Sequence, residues 1–306
     1  LLLFLFSVHL KAQPTLTKVE PFLENLIAEL PSVRDVAMNK KGDEIYMTVQ
    51  GYQGELSTIV QSTLINGKWN PINIASFSGK YDDLEPFLSH DELRLYFVSN
   101  RPTNITADTV VDFDIWYVER KSIHDPWLTP VNIGAPVNTL QDEFYPCITL
   151  SGNLYFTGGG DGTKGKDDIF LSEWVNGKFT VPVSLDSTIN SIGYEFNAFI
   201  APDESYLLFT GYNRPGGQGS GDLYISKKTA KGTWGPAQNL GDEINSKQMD
   251  YCPFVNTQTQ ELFFTSKRNS LGSREKEFKD VKKLLKEMNS FSNGLSRLYK
   301  TSFSIH

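Results

Sequence analysis

Cysteine and histidine are scarce in this sequence. Its 306 residues include two cysteines, Cys147 and Cys252, and four histidines. The two cysteines are too widely separated for disulfide geometry, so both are expected to be small buried residues. The scattered histidines assemble neither a zinc site nor a Ser-His-Asp arrangement, and no metal or cofactor site is predicted.

Positive charge is not in excess either. The formal net charge is −7, and in the one basic cluster, residues 276–286, lysines alternate with acidic residues. A nucleic-acid backbone would meet a field of its own sign on this protein. Nucleic acid is therefore excluded as an expected partner.

The sequence has no hydrophobic run long enough to cross a membrane. The apolar run from Leu1 to Leu10 is too short to span a bilayer, and Lys11-Ala12-Gln13 follows it. This pattern is typical of the hydrophobic region and cleavage end of a signal peptide, with the cut after Ala12. We expect residues 1–12 to be a signal-peptide remnant and the protein to be exported, periplasmic or extracellular. The alternative is a buried first strand.

A repeat of roughly fifty to sixty residues occurs five times in the chain. Each copy contains two short apolar or aromatic runs joined by a polar turn, which is the signature of a β-hairpin. The paired runs lie at 35–38 and 45–48, 82–88 and 95–99, 142–148 and 154–157, 194–200 and 207–210, and 250–255 and 262–265.

Two further strands are predicted in each repeat. The third lies at motifs such as Asp114-Ile115-Trp116, and the fourth follows an aromatic residue and a proline, as at Trp234-Gly235-Pro236. Four short, aromatic-rich strands per repeat are typical of a propeller blade. The sequence therefore predicts an all-β fold, a five-bladed β-propeller of four-stranded antiparallel blades.

The two ends of the chain are expected to share the last blade. The fifth repeat lacks a fourth strand, and residues 19–27 contain a segment similar to the fourth-strand segment 236–240. An N-terminal strand would complete the last blade and remove the open edge between first and last blades. The prediction is one propeller domain over residues 13–306, with repeats at about 31–77, 78–137, 138–189, 190–244 and 245–306.

These motifs resemble the WD40-like repeats of TolB-type β-propellers of the bacterial envelope. The likeness lies in the Asp-Glu-x-x-Pro start at 142–146, the apolar Leu-Tyr-Phe strand, the Asp-Ile-Trp motif and the turn at 130–134. It extends over about residues 30–305. The resemblance implies a binding platform at the cell envelope, and it leaves the ligand open because a fold does not determine a ligand.

An acidic residue recurs near the start of the innermost strand in four repeats, as Asp83, Glu143, Glu195 and Asp250. If these acids ring one mouth of the central channel, they would suit a cation or a basic ligand. Alternatively, a residue that recurs in every blade serves the blade, by accepting hydrogen bonds from a neighbouring turn. Recurrence argues against catalysis, because an acid and a base need unlike environments.

Gly-rich connections precede the third strands and are interpreted as loops on one face of the propeller. Candidate binding residues on this face are Asp161, Asp168, Arg214 and Asp222. A phosphate-binding loop is not predicted, because these glycines lead into strands rather than into a helix. Calcium binding near Asp161 is a weaker alternative, because the spacing matches no known calcium loop.

Residues 273–289 interrupt the fifth repeat. Ser273 is expected to cap a short amphipathic helix. Its apolar face would carry Phe278, Val281, Leu285 and Met288. We expect this face to pack over the propeller and cover the channel mouth; the alternative is that it is presented to a partner.

These patterns predict a monomeric, non-catalytic binding or scaffold module at the cell envelope, which presents its loops to a protein or glycan. No enzyme is expected, because no catalytic arrangement is recognisable. The alternative is a carbohydrate-active hydrolase that uses carboxylates at the central channel. Non-equivalent acids in an open, deep pocket would favour the hydrolase, whereas a narrow or plugged channel would favour binding.

Overall fold

Each repeat forms one antiparallel sheet, because its polar turns bring successive apolar strands into register. The computed structural model describes residues 18–103, 110–160, 162–271 and 277–305. Within these residues five sheets form the blades of a β-propeller. The predicted fold class is confirmed.

The strands of the blades, from the axis outwards, are as follows. Blade 1 contains Ser32–Met38, Glu44–Gln50, Ser57–Ile65 and Asn73–Ile74, and Lys68–Trp69 pairs with the end of its third strand. Blade 2 contains Asp83–Leu88, Arg94–Ser99, Asp114–Glu119 and Val131–Asn132. Blade 3 contains Glu143–Ile148, Leu154–Gly158, Asp168–Ser172 and Val183–Ser184, and carries the hairpin Trp174–Val175 and Lys178–Phe179. Blade 4 contains Tyr194–Ile200, Tyr206–Tyr212, Gly221–Lys227 and Gln238–Asn239. Blade 5 contains Asp250–Asn256, Glu261–Ser266, Arg297–Ser302 and Glu20–Pro21.

The N-terminal strand closes the ring, as predicted. Glu20–Pro21 pairs antiparallel with Arg297–Ser302, the third strand of blade 5. The Phe22 N–H then donates to the Leu298 carbonyl at 2.9 Å, and the Phe22 ring meets Phe263 edge to face at 4.8 Å. The helix Glu24–Ile27 follows this strand. Both ends of the chain therefore contribute to one sheet, which removes the open edge.

An extra residue bulges the innermost strand of every blade. In blade 2, for example, the pairing register shifts between Leu84 and Phe87. The bulged residues have φ between 51° and 56° although none is glycine, a conformation that surrounding contacts must hold. These five axial residues are Asp35, Glu85, Tyr145, Asn197 and Cys252.

The channel along the axis is closed in its middle and open at both ends. A volume of only 10 Å³ remains in the middle. It is enclosed by the prolines that follow three axial residues and by the edge-to-face rings of Phe199 and Phe254, 5.6 Å apart. A cavity of 230 Å³ opens on one face. A larger one of 580 Å³, the mouth cavity, opens on the face that carries the loops between second and third strands.

The helix inserted in blade 5 spans Val281–Met288. Its N-cap is Asp280, whose carboxylate accepts hydrogen bonds from the Lys282 and Lys283 N–H groups. The expected cap, Ser273, lies outside the described residues. None of the described helices is long and apolar enough to cross a membrane.

The expectation that this helix packs over the propeller is wrong. None of its eight residues is buried, and Val281, Leu285 and Met288 are 69%, 50% and 52% exposed. The buried apolar anchor of this connection is Phe291, which lies beyond the helix and meets the Tyr299 ring at 5.5 Å. The helix therefore contributes no side chain to the core.

Replacing Phe22 by alanine should destabilise the protein, because the ring that fastens the N-terminal strand to blade 5 is lost. We expect a loss of about 2 kcal/mol in the free energy of unfolding, measured by urea denaturation. The matched control is Phe278→Ala, since Phe278 is 39% exposed. Equal losses in the two variants would contradict the closing role of Phe22.

Candidate functional site

The mouth cavity has the form of a small-ligand site. Aromatic side chains from three consecutive blades line it, namely Phe144, Phe196 and Tyr251. Its floor is polar and consists of Arg34, Glu85 and Asn197. Concave sites of about 300–1,000 Å³ with apolar walls and a few fixed polar groups are where small molecules usually bind.

A partly buried guanidinium group, that of Arg34, fixes the centre of the floor. Arg34 Nε donates to Asp35 Oδ1 at 2.8 Å, and Nη2 donates to Glu85 Oε1 at 2.5 Å and to Cys252 Sγ at 3.2 Å. The same guanidinium lies over the Tyr251 ring, 5.2 Å from its centre. Ion pairs from two sides and an aromatic face hold this cation in one position.

Four of the five axial residues are tied to the blade before them by a hydrogen bond from their own N–H group. The Asp35, Glu85 and Asn197 N–H groups each donate at 3.0 Å to a threonine hydroxyl of the preceding blade, Thr265, Thr48 and Thr157 respectively. Blade 2 has Val98 at the corresponding position, and there the Tyr145 N–H donates to the Glu85 carboxylate at 2.7 Å. Glu85 thus takes the place of the threonine that would accept this hydrogen bond, and it also lines the cavity.

Glu85 can exchange a proton near neutral pH. Its side chain is 4% exposed. Burial raises its pKa to about 7, although Arg34 acts in the opposite direction. Burial also holds the pKa of the Cys252 thiol well above its usual value, so that group stays protonated.

Three potential metal ligands meet on the axis. Asp35, Glu85 and Cys252 have ligand atoms within 4.8 Å of one another, which makes them the one such group of three among the described residues. All three contact the Arg34 guanidinium. The arginine therefore already supplies positive charge to these ligands.

The four recurring acids do not line the mouth cavity. Their exposed fractions are 3% or less. Each accepts a hydrogen bond of 2.7–2.8 Å from a serine or threonine hydroxyl a few residues earlier in the chain. The pairs are Asp83 with Ser78, Glu143 with Thr139, Glu195 with Ser191 and Asp250 with Ser246. These carboxylates close turns within their own blades.

Three of these acids also pair with an arginine of the same blade. The N···O distances are 2.5 Å for Asp83–Arg101, 3.7 Å for Glu195–Arg214 and 3.1 Å for Asp250–Arg268. The Arg214 and Arg268 guanidinium groups each lie over two aromatic rings and that of Arg101 lies over three, at 4.4–5.6 Å from the ring centres. Glu143 has no arginine partner within the described part of the chain, and burial raises its pKa to about 7.

The described candidate residues of the loop face make contacts within the propeller itself. Asp168 and Asp222 each accept two backbone N–H hydrogen bonds, at 2.5–3.4 Å, from the Gly-rich loop that precedes them. Arg214 donates to the Ile189 carbonyl at 3.2 Å. Asp161 lies outside the described residues.

Sequence reasoning missed the axial residues because their side chains have nothing in common. They do share a position, since three of them directly precede a proline of the innermost strand: Glu85-Pro86, Tyr145-Pro146 and Cys252-Pro253. A search for unlike residues at one place in the repeat would have found them. The recurring residues belong instead to the blade frame, which is the set of paired acids, hydroxyl groups and arginines within the blades.

Glu143→Gln should flatten part of the pH dependence of stability. A carboxyl group whose pKa is about 7 in the folded protein stabilises the folded state at low pH. In the unfolded chain its pKa is about 4.3, so this stabilisation is lost as the pH rises from about 4.3 to 7. The free energy of unfolding, measured by urea denaturation from pH 4 to 8, should therefore fall less in the variant than in the parent.

The control for this prediction is Glu204→Gln. Burial acts to raise the pKa of Glu204, but hydrogen bonds from Lys228, Ser151 and Asn153 hold it at about 2. The contribution of Glu204 to stability is lost only at low pH, as the pH falls towards that value. The difference in the free energy of unfolding between Glu204→Gln and the parent should therefore stay constant between pH 6 and 8. A Glu143→Gln profile parallel to that of the parent would contradict the raised pKa.

Comparison with known proteins identifies a fold and no family. No protein family and no curated protein matches the sequence. An α-L-arabinofuranosidase from Lactobacillus brevis has a TM-score of 0.50 at 13% identity, and the alignment covers 91% of this chain and 93% of that protein. The putative TolB from Agrobacterium tumefaciens has a TM-score of 0.49 at 12% identity, and the alignment covers 89% of this chain and 91% of that protein. TolB from Acinetobacter baumannii has a TM-score of 0.48 at 12% identity, and the alignment covers 88% of this chain and 54% of that protein.

These comparisons correct the expectation that the chain is not an enzyme. A propeller of the same fold is an arabinofuranosidase, so the fold does not exclude catalysis. At 13% identity the likeness extends to the fold alone. The chain has a five-bladed β-propeller fold.

Proposed function

We propose that this protein binds a glycan of the cell envelope in the mouth cavity. The observation that carries the proposal is the combination of an aromatic wall, Phe144, Phe196 and Tyr251, with an immobilised polar floor, Arg34, Glu85 and Asn197. A rigid floor of this kind lowers the ordering cost of binding.

The chemistry of the cavity suits a saccharide. The apolar face of a sugar ring packs against aromatic side chains, and its hydroxyl groups both donate and accept hydrogen bonds. Arg34 Nη1 makes no hydrogen bond with the described residues, so this donor remains available on the floor. The Asn197 amide and the Glu85 carboxyl group complete a set of donors and acceptors.

Location at the envelope is proposed from the sequence. The apolar run at residues 1–10 is typical of a signal peptide, and the repeats resemble those of TolB-type propellers. A protein partner is the other class expected from the sequence, but stable protein interfaces usually need a surface of about 800 Å² on each side. A concave cavity on the axis is better matched to a compact ligand.

A carbohydrate-active hydrolase is the second candidate, because of two carboxyl groups on the axis. Glu85 and Asp35 have carboxylate oxygens within 4.8 Å of each other, and Glu85 has a pKa raised to about 7, as a general acid requires. Turnover of a bound glycan that is abolished in Glu85→Gln while binding persists would establish this candidate.

Phe196→Ala should weaken glycan binding, because it removes one aromatic face of the cavity. The protein is first screened on a glycan array, and the best ligand is titrated by calorimetry. We expect affinity to fall about tenfold. Phe144→Ala is a second variant of the same wall, and thermal unfolding of each variant establishes that it folds.

The control is Trp174→Ala, on the outer hairpin of blade 3. Trp174 is 42% exposed and packs against Phe179, away from the axis. Its loss should leave affinity unchanged. Absence of any glycan ligand on the array, or equal effects of the wall and control variants, would contradict the proposal.

A further inference from the structure

Two charged side chains at the rim of the mouth cavity have no partner among the described residues. Lys267 lines the cavity and is exposed, and its ammonium group makes no hydrogen bond or ion pair with the described residues. Asp167 also lines the cavity and is half-buried, and its carboxylate has no such partner in the described part of the chain. The buried acids Asp83, Glu195 and Asp250, in contrast, are each paired with an arginine.

The surroundings of Asp167 leave its charge uncompensated. Burial raises the pKa of its carboxyl group, and the neighbouring charges of Asp168 and Asp142 raise it further. An ammonium group placed beside it would lower that pKa again and would be attracted to the carboxylate. The site therefore favours a cationic group of a ligand.

The cations and the carboxyl groups that line the cavity come from different pairs of blades. Arg34 belongs to blade 1 and Lys267 follows the second strand of blade 5, and these two blades are neighbours because the ring closes between them. Glu85 belongs to blade 2 and Asp167 precedes the third strand of blade 3, and these are also neighbours. The rim thus carries a cation from blade 5, Lys267, and a carboxylate from blade 3, Asp167, whereas Arg34 and Glu85 form an ion pair on the floor.

On the floor, Arg34 forms ion pairs with both Asp35 and Glu85. Its Nη1 group remains without a partner among the described residues. A carboxylate on the ligand could accept hydrogen bonds from Arg34 and Lys267 together, and such charge-assisted bonds are stronger than neutral ones.

We infer that the mouth cavity binds an amphoteric saccharide, one that carries both a carboxylate and an ammonium group. The carboxylate lies beside Lys267 and the Arg34 Nη1 group, and the ammonium group lies beside Asp167. This inference rests on the proposed glycan-binding function and names the chemical class of the ligand. A short peptide carries the same two charges, so the experiment includes one.

Four monosaccharides with the same ring provide the test. N-acetylglucosamine is neutral, glucosamine carries an ammonium group, N-acetylmuramic acid carries a carboxylate, and muramic acid carries both. Their affinities are measured by ligand-observed NMR at low and high salt, beside a dialanine peptide. Muramic acid should bind about tenfold more tightly than N-acetylglucosamine, and salt should reduce this difference.

Two variants assign the charges to the two sides. Lys267→Gln should remove the advantage of the two sugars that carry a carboxylate and leave the other two unchanged. Asp167→Asn should remove the advantage of the two sugars that carry an ammonium group and leave the others unchanged. Both positions are at the rim, and the thermal unfolding of each variant is compared with that of the parent.

The outcomes separate this inference from the proposed function. Equal affinities for the four sugars, or equal effects of both variants on all four, would overturn the inference while glycan binding stands. Binding of dialanine with loss of affinity in both variants, but no binding of any sugar here or on the glycan array, would overturn the glycan proposal and with it the saccharide part of the inference. The crossed pattern of effects would support both.

Discussion

The bulge in each innermost strand is the constraint on which the site depends. One extra residue per blade adopts a left-handed conformation that is unfavourable for a side chain larger than glycine, and it turns five unlike side chains towards one axis. Hydrogen bonds to the preceding blade hold this conformation in Asp35, Glu85 and Asn197. The geometry of the site and the packing of neighbouring blades are therefore maintained by the same contacts.

The blade frame and the axis divide the polar residues of the chain between two tasks. In the frame, an acid, a hydroxyl group and an arginine over two aromatic rings recur from blade to blade, as in Asp250, Ser246 and Arg268. Buried charges of this kind are tolerated because they are paired and hydrogen-bonded. On the axis no such repetition exists, and a five-fold scaffold supports a site without symmetry.

The Arg34 guanidinium decides the character of that site. Asp35, Glu85 and Cys252 surround it, so groups that resemble a metal site instead enclose a cation of the protein itself. Glu85 shares this cation with Asp35 and is also buried, and burial raises its pKa to about 7. A ligand in the mouth cavity therefore meets a floor whose hydrogen-bonding pattern changes with pH close to neutrality.

The amino-acid sequence by itself determined the repeat, the number of blades, the four strands of each blade and the closure by the N-terminal strand. These follow from local alternation and from repetition, which a single sequence displays. The exposure of the Val281–Met288 helix and the choice of axial residues were decided by the tertiary structure. Asp35, Glu85, Tyr145, Asn197 and Cys252 share a place and no chemistry, and only the closed ring brings residues from five separate blades into contact.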